Sequence, residues 1–504
     1  MYTLGKQVIP PSTFLSAVLP TGVPLKPFGK SGDKAAFKGD TLVGFVRSDT
    51  GESRVFPSFE ALSPGNDSAS AATAIAKKLV SDPWLFPPDD TTLVPLPPVI
   101  LSTSQSTRCK GKPPTCPEEL LAFVQIQRLV GEYPVIGPGT QAAIGVDGCG
   151  CGIRAFAHRY KPAKKTDHYM NPLGSDQIVE AIMNDVSNTC ERVNITIDNV
   201  TIAYWDSGND YLQPIFTYSG SIRSSNSTTH SLLSGSVSVN KSMEPFTPRL
   251  SPEYPTNDPH YRRLRRRATS DLLSVGRYVV RADSPDWVNS ATGFLDSLNN
   301  STALGSANKF LNTQYFGADS TMFTSNKNDN VNSVQIALVE AHGATSQFST
   351  YKSNGDVVQL SDIGASGGLG PSAGGNLSHL ILHASQVIQT QADQEDSFAV
   401  WWDIFKGMHS AVGYRLDSYL NDDVTSNVGL YTGLGSSVVP TWFTELAANN
   451  GYGLDTAGSI NQNTGLYNPA GRGSSVSVCG YADSTINDVE DLGPADCLKQ
   501  HWVS

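Results

Sequence analysis

The second half of the chain carries runs that are apolar at nearly every position. Residues 334–339 are Val-Gln-Ile-Ala-Leu-Val, followed by Glu340-Ala341-His342-Gly343. Residues 380–382 are Leu-Ile-Leu, followed by His383-Ala384-Ser385. Residues 410–414, Ser-Ala-Val-Gly-Tyr, form a third such run. Continuous apolar runs of this length predict strands covered on both faces, as in a parallel sheet. Between the second and third, Trp401, Ile404, Phe405 and Met408 recur at i, i+3, i+4 and i+7, which predicts a helix over 398–408 with one apolar face. A strand that ends in His342-Gly343 and a parallel strand that ends in Ser385 would set reactive groups in the crevice at the sheet's carboxyl edge.

The first half reads differently. Residues 122–130 alternate as a half-buried strand does, 142–146 and 153–160 are further strands, and Asp147-Gly148 supplies a hairpin turn between them. A helix is predicted over 68–79, a short helix start at 117–121, and a longer helix over 175–194 with apolar residues at 178, 182, 186 and 193. Strands follow over 195–204, 211–220 and 236–239. Residues 82–116 are rich in Pro and Ser and read as loop. The expected architecture is therefore an α/β C-terminal domain with a mainly parallel sheet, preceded by an α+β domain with an antiparallel sheet. The segments are an extended N-terminal arm (1–60), the α+β domain (61–248), a basic linker (249–272), the α/β domain (273–455) and a Gly/Asn/Ser-rich tail (456–504). The glycine-rich stretch 364–375 lacks the Gly-Lys-Ser/Thr of a phosphate loop and reads as a mobile loop over the site.

Composition narrows the function. At 504 residues the chain suits two or three domains. Only 16% of residues are charged, against about 25% in an average globular protein. The net charge of -11 argues against nucleic acid, which requires a basic face. No apolar run approaches the roughly 18 to 20 residues of a membrane span. Asn-X-Ser/Thr sequons at Asn66, Asn194, Asn199, Asn226, Asn240, Asn299, Asn300 and Asn376 fit a secreted glycoprotein. No apolar stretch of the secretory type follows the first six residues, so three readings stay open: a misassigned start, unconventional export, or an intracellular protein.

Seven cysteines are present. The spacings of Cys109 with Cys116 and of Cys479 with Cys497 suit local disulfides. Cys149 and Cys151, in a Gly-Cys-Gly-Cys-Gly turn, read as ordinary thiols, and Cys190 stands alone. No second Cys/His pair of ligand spacing lies near them, so neither a metal nor a cofactor is expected. Residues 262–267, Arg-Arg-Leu-Arg-Arg-Arg, lie between regions of different character. They read as a processing site for a kexin-like protease, with cleavage after Arg266-Arg267.

Two resemblances add to this reading. The strand–turn–strand pattern of 122–160 resembles PepSY and thermolysin-propeptide modules, which precede secreted peptidases. The His-Gly strand end, the next strand end, Trp402-Asp403-Ile404-Phe405-Lys406-Gly407 and Ala411-Val412-Gly413 resemble caspase-like peptidases of the gingipain and clostripain type. The likeness is nearest to an uncharacterised family of bacteria and fungi. That resemblance implies a general-base or orienting His at His342, an oxyanion-binding backbone at Gly343, and a Cys nucleophile where Ser385 stands. No Cys occurs between Cys190 and Cys479. A Ser hydroxyl is a far weaker acid than a thiol and requires a base oriented by a third group, for which Glu340, Asp362 and Asp403 are candidates. Gly343, Glu340 and Gln386 are the expected substrate contacts. His383 reads as a core histidine and His409 as a structural one. The reading is a secreted peptidase-like protein, weakly active or non-catalytic, that takes a peptide or protein ligand. A binding scaffold and an intracellular biosynthetic enzyme acting on a small molecule or peptide are the alternatives.

Overall fold

A computed structural model describes residues 2–29, 32–108, 113–167, 172–187, 193–224, 230–239, 272–280, 285–350, 356–416, 418, 424–448 and 473–503. Seven strands frame the second half: β1 (Leu272–Val279), β2 (Lys309–Phe316), β3 (Ile336–Glu340), β4 (His379–His383), β5 (Ser410–Tyr414), β6 (Gly473–Val478) and β7 (Cys497–Val503). Their order across the sheet is β2-β1-β3-β4-β5-β6-β7. The first five are parallel, and β6 and β7 run antiparallel. Every residue of β3, β4 and β5 is buried, which is why these segments are apolar without alternation. Helix α1 (Pro285–Ala303) links β1 to β2 and packs on α2 (Val424–Gly433). Helix α3 (Val438–Ala448) is buried at every position, because it lies between β5 and β6 on one side and strands of the first half on the other.

The first half is antiparallel except where Tyr133–Ile136 pairs with Val193–Trp205 in parallel, and it is not a separate sheet. Strand Val99–Thr107 pairs with β7, from Thr107 opposite Cys497 to Leu101 opposite Val503. Pairing continues outward through Glu118–Val130, Gln141–Asp147, Ile153–Arg159, Ser53–Val55, Thr41–Val46, Asp33–Lys38 and Lys26–Phe28. The later residues of Glu118–Val130 turn away to pair with Thr92–Pro95 and Tyr133–Ile136. From Tyr133–Ile136 a second ladder runs through Val193–Trp205, Tyr211–Ser224 and His230–Ser238. The molecule is a mixed α/β protein with a large, mostly antiparallel sheet that has a parallel centre in its second half.

Several expectations change. The first 60 residues, read as an extended arm with a few edge strands, supply strands of the main sheet, with Phe45, Val46 and Val55 buried. The stretch read as loop contains Val99–Thr107, an interior strand in which Ser102 and Thr103 have ladder partners on both sides, while Ser104, Ser106 and Thr107 pair with β7 alone. The helix start at 117–121 is strand instead. The segment read as a tail supplies β6 and β7, which weld the two halves edge to edge. The helix over 398–408 is a single turn, Trp401–Ile404. The welded halves also share a buried ion pair, Arg54 to Glu445 on α3 at 2.9 Å, with neither side chain exposed. The basic run with Arg266 and Arg267 lies outside the described residues, as do Cys109 and Cys190.

Candidate functional site

The chain leaves β1 to form β2 on one side and returns to β3 on the other, so β1 and β3 flank the switch point of the sheet. Open α/β sheets bind ligands in the crevice beyond the strand ends at this point. Trp287, near the start of α1, and His342, two residues past β3, meet there edge-on, with ring centroids 4.5 Å apart. His342 is half-buried, and its carbonyl accepts the Ser349 N–H at 2.8 Å. This anchors a small three-stranded sheet (Gly343–Ala344, Gln347–Ser349, Val357–Gln359) beyond the edge.

β3 and β4 are neighbours, with Glu340 opposite His383. The two strand ends singled out in the sequence therefore stand side by side. Gly343 passes so close to Ser385 that a Cβ on it would lie 1.9 Å from the Ser385 carbonyl oxygen. The chain then turns sharply. Gln386 and Ser346 are the two non-glycine residues with positive φ among the described residues, at 60° and 55°. They are hydrogen-bonded to each other, Ser346 N–H to Gln386 O at 3.4 Å. Backbone strain of this kind collects at functional sites.

The chemistry of the two ends differs from the arrangement expected of a nucleophile. Ser385 has no exposed surface. Its Oγ accepts the Ser418 N–H at 3.0 Å and meets Ser418 Oγ at 3.1 Å. Glu340, expected as a substrate contact or third group, is buried beneath the edge. Its Oε2 lies 2.5 Å from His383 Nδ1, and its Oε1 accepts the Ser290 hydroxyl at 2.6 Å. Ser290 in turn meets Thr425 Oγ1 at 2.7 Å. His383 is thus the core histidine its apolar strand implied. Asp403 is exposed and pairs with Arg108 and Lys406, and Asp362 is exposed as well. The nitrogen of Gln386 donates to Leu416 O at 2.8 Å, and its carbonyl accepts from Gln389.

The glycine-rich stretch does not cover this site. Its Leu369 is bonded to Ile404 and Lys406, and Gly370 N–H donates to Asn332 Oδ1 at 2.6 Å. Asn332 precedes β3, so the stretch lies at the amino edge, the opposite end of the strands. His379 and His409 lie at that edge too. Their Nε2 atoms are bonded to the carbonyls of Thr485 and Glu490, inside the loop closed by the Cys479–Cys497 disulfide. Burial, with His409 beside it, pushes His379 down to about 3. Cys116 is exposed and has no disulfide partner among the described residues. Cys149 and Cys151, read as a glycine turn with one or two ordinary thiols, are joined to each other.

Residues 274–474 match the model of a family described as a domain of unknown function, DUF6345. The match begins in β1, ends in β6 and includes both strand ends. No curated protein matches the chain. The chain is similar to a crystal structure of an uncharacterized protein from Eubacterium rectale ATCC 33656, at 10% identity and a TM-score of 0.26. That likeness covers 48% of this chain and 85% of the other. No helix among the described residues is long and apolar enough to cross a membrane.

Proposed function

We propose that this protein is a secreted, peptidase-like binding protein. Its crevice at the carboxyl ends of β1, β3 and β4 holds a peptide or protein segment without cleaving it. The adjacency of the His342 and Ser385 strand ends supports the caspase-like reading of the crevice. The observation that carries the absence of turnover is the environment of Ser385. A serine nucleophile has to surrender its proton to a base. Here the hydroxyl is fully buried, and among the described residues it faces the amide and hydroxyl of Ser418, neither of which is a base at neutral pH. The carboxylate at the edge, Glu340, is bound to His383 and Ser290. Two disulfides, Cys479–Cys497 and Cys149–Cys151, support an oxidising compartment.

The test uses a fluorescent peptide library. Wild type and Ser385→Ala are expected to bind the same members equally, His342→Ala to bind them at least tenfold more weakly, and none to shorten them. Peptide cleavage by wild type that Ser385→Ala abolishes would overturn the proposal.

A further inference from the structure

Cys149, Gly150 and Cys151 sit at the tip of the hairpin between Gln141–Asp147 and Ile153–Arg159, far along the sheet from the crevice. A disulfide stabilises a fold by closing a loop, and its effect grows with the residues enclosed. The Cys149–Cys151 bond spans a separation of 2, against 18 for Cys479–Cys497. Hydrogen bonds already fix this turn. The N–H groups of Gly150, Cys151 and Gly152 donate to Asp147 O (2.8 Å), Asp147 Oδ1 (2.7 Å) and Asp147 Oδ1 (3.3 Å). Asp147 Oδ2 accepts from Arg154 Nε at 2.8 Å. Gly148 is bonded to Leu120 on one side and Asp67 on the other. Gly150 takes the left-handed φ of 67° that glycine tolerates, and a Cβ on it would lie 2.9 Å from the Ala71 methyl. The backbone of the turn is therefore held by hydrogen bonds of its own, independent of the bond between the two sulfurs.

We propose that Cys149–Cys151 is a thiol–disulfide exchange site that oxidises dithiol peptides or proteins. The two sulfurs are unequal: Cys151 is exposed and Cys149 half-buried. A substrate thiolate attacks Cys151 Sγ, the bond to Cys149 breaks, and Cys149 leaves as a thiolate that takes a proton. The resulting thiol has an acceptor in place, because Cys149 Sγ lies 3.3 Å from Asp147 Oδ1. The second substrate thiolate then attacks its partner sulfur in the mixed disulfide and releases Cys151. Two electrons pass from the dithiol to the protein, the substrate becomes a disulfide, and its two protons end on Cys149 and Cys151. Exposed disulfides that do little to stabilise the fold are the ones that exchange.

The experiment uses the full chain in a Cys109→Ser, Cys116→Ser, Cys190→Ser background, so that no other thiol competes. Alkylation and peptide mapping follow each disulfide during treatment with dithiothreitol under native conditions. Cys149–Cys151 is expected to open at least tenfold faster than Cys479–Cys497, with the thermal transition unchanged. Cys149→Ser is expected to form a mixed glutathione disulfide on Cys151 at least tenfold faster than Cys151→Ser forms one on Cys149. The oxidised chain should convert one equivalent of a two-cysteine peptide to its disulfide, and the Cys149→Ser, Cys151→Ser double variant none. Opening no faster than Cys479–Cys497, or only with unfolding, would overturn the proposal. So would equal reactivity of the two single variants.

Discussion

A Cβ on residue 343 would lie 1.9 Å from the carbonyl oxygen of Ser385 and 2.7 Å from its amide nitrogen. Both are backbone atoms, so no rotamer change relieves the overlap. Gly343→Ala is expected to force the β3 and β4 ends apart at a cost of about 1–3 kcal/mol, as overpacking does. It should also weaken peptide binding at the crevice. Urea unfolding checks the first effect, and a midpoint equal to wild type would show that the strand ends are not packed as described.

Ser385→Ala removes the acceptor of the buried Ser418 N–H. Leaving such a donor unpaired costs about 1–3 kcal/mol. The variant should be less stable than wild type and equal to it in peptide binding. The reverse pattern, unchanged stability with lost activity, would mark Ser385 as chemical rather than structural.

The Glu340–His383 pair is buried, with its second carboxylate oxygen on Ser290. Removing the carboxylate takes away the acceptor of the buried Ser290 hydroxyl and the partner of His383 Nδ1, and Glu340→Ala is expected to lose about 1–3 kcal/mol. Glu340→Gln keeps a polar group at the position and should lose less. A double-mutant cycle with His383→Ala measures the coupling, and additive losses would contradict it.

Acid should loosen the amino edge of the sheet. Burial holds His379 near 3 in the folded protein, against 6.5 as its ordinary value. Between those limits the unfolded chain binds more protons than the folded one, so stability is lost as pH falls below about 6.5. His158, pushed down to about 4 by burial, and His501, well below its ordinary value for the same reason, act in the same direction. The advantage of wild type over His379→Gln should shrink by about 1.4 kcal/mol per pH unit well below 6.5. A gap that stays constant from pH 7.5 to 4.5 would show that His379 is not buried neutral.

Cleavage in the arginine run should not separate the halves. Strand Val99–Thr107 pairs with β7 along its length, and Arg54 is bonded to Glu445. A trypsin-nicked chain is expected to elute as one species in gel filtration and to split only in denaturant. Separation in native buffer would show that the welded sheet does not hold.

The sequence carried the centre of this fold and lost its edges. Residues 336–340, 379–383 and 410–414 were legible because both their faces are buried, so each run is apolar throughout. Val99–Thr107 was not legible. Its polar Ser104 and Ser106 are buried against β7, and that partner lies roughly 400 positions further along the chain. The site divided in the same way. Strand order placed His342 and Ser385 near one another in the crevice. Periodicity alone does not show that Glu340 turns to His383, or that Ser385 finds Ser418, because both depend on the register between strands and on a loop from the far side of β5. The glycine-rich stretch was assigned to the wrong edge for a related reason: composition marks a loop but not the end of the sheet it serves.

The proposed function is that of a peptide-binding crevice without a working nucleophile. Intact mass after prolonged incubation with a fluorophosphonate probe tests it most directly. The expected result is no adduct on Ser385 in wild type, with the protein still competent to bind peptide. A stoichiometric adduct on Ser385 that disappears in His342→Ala would contradict it and establish a serine–histidine pair.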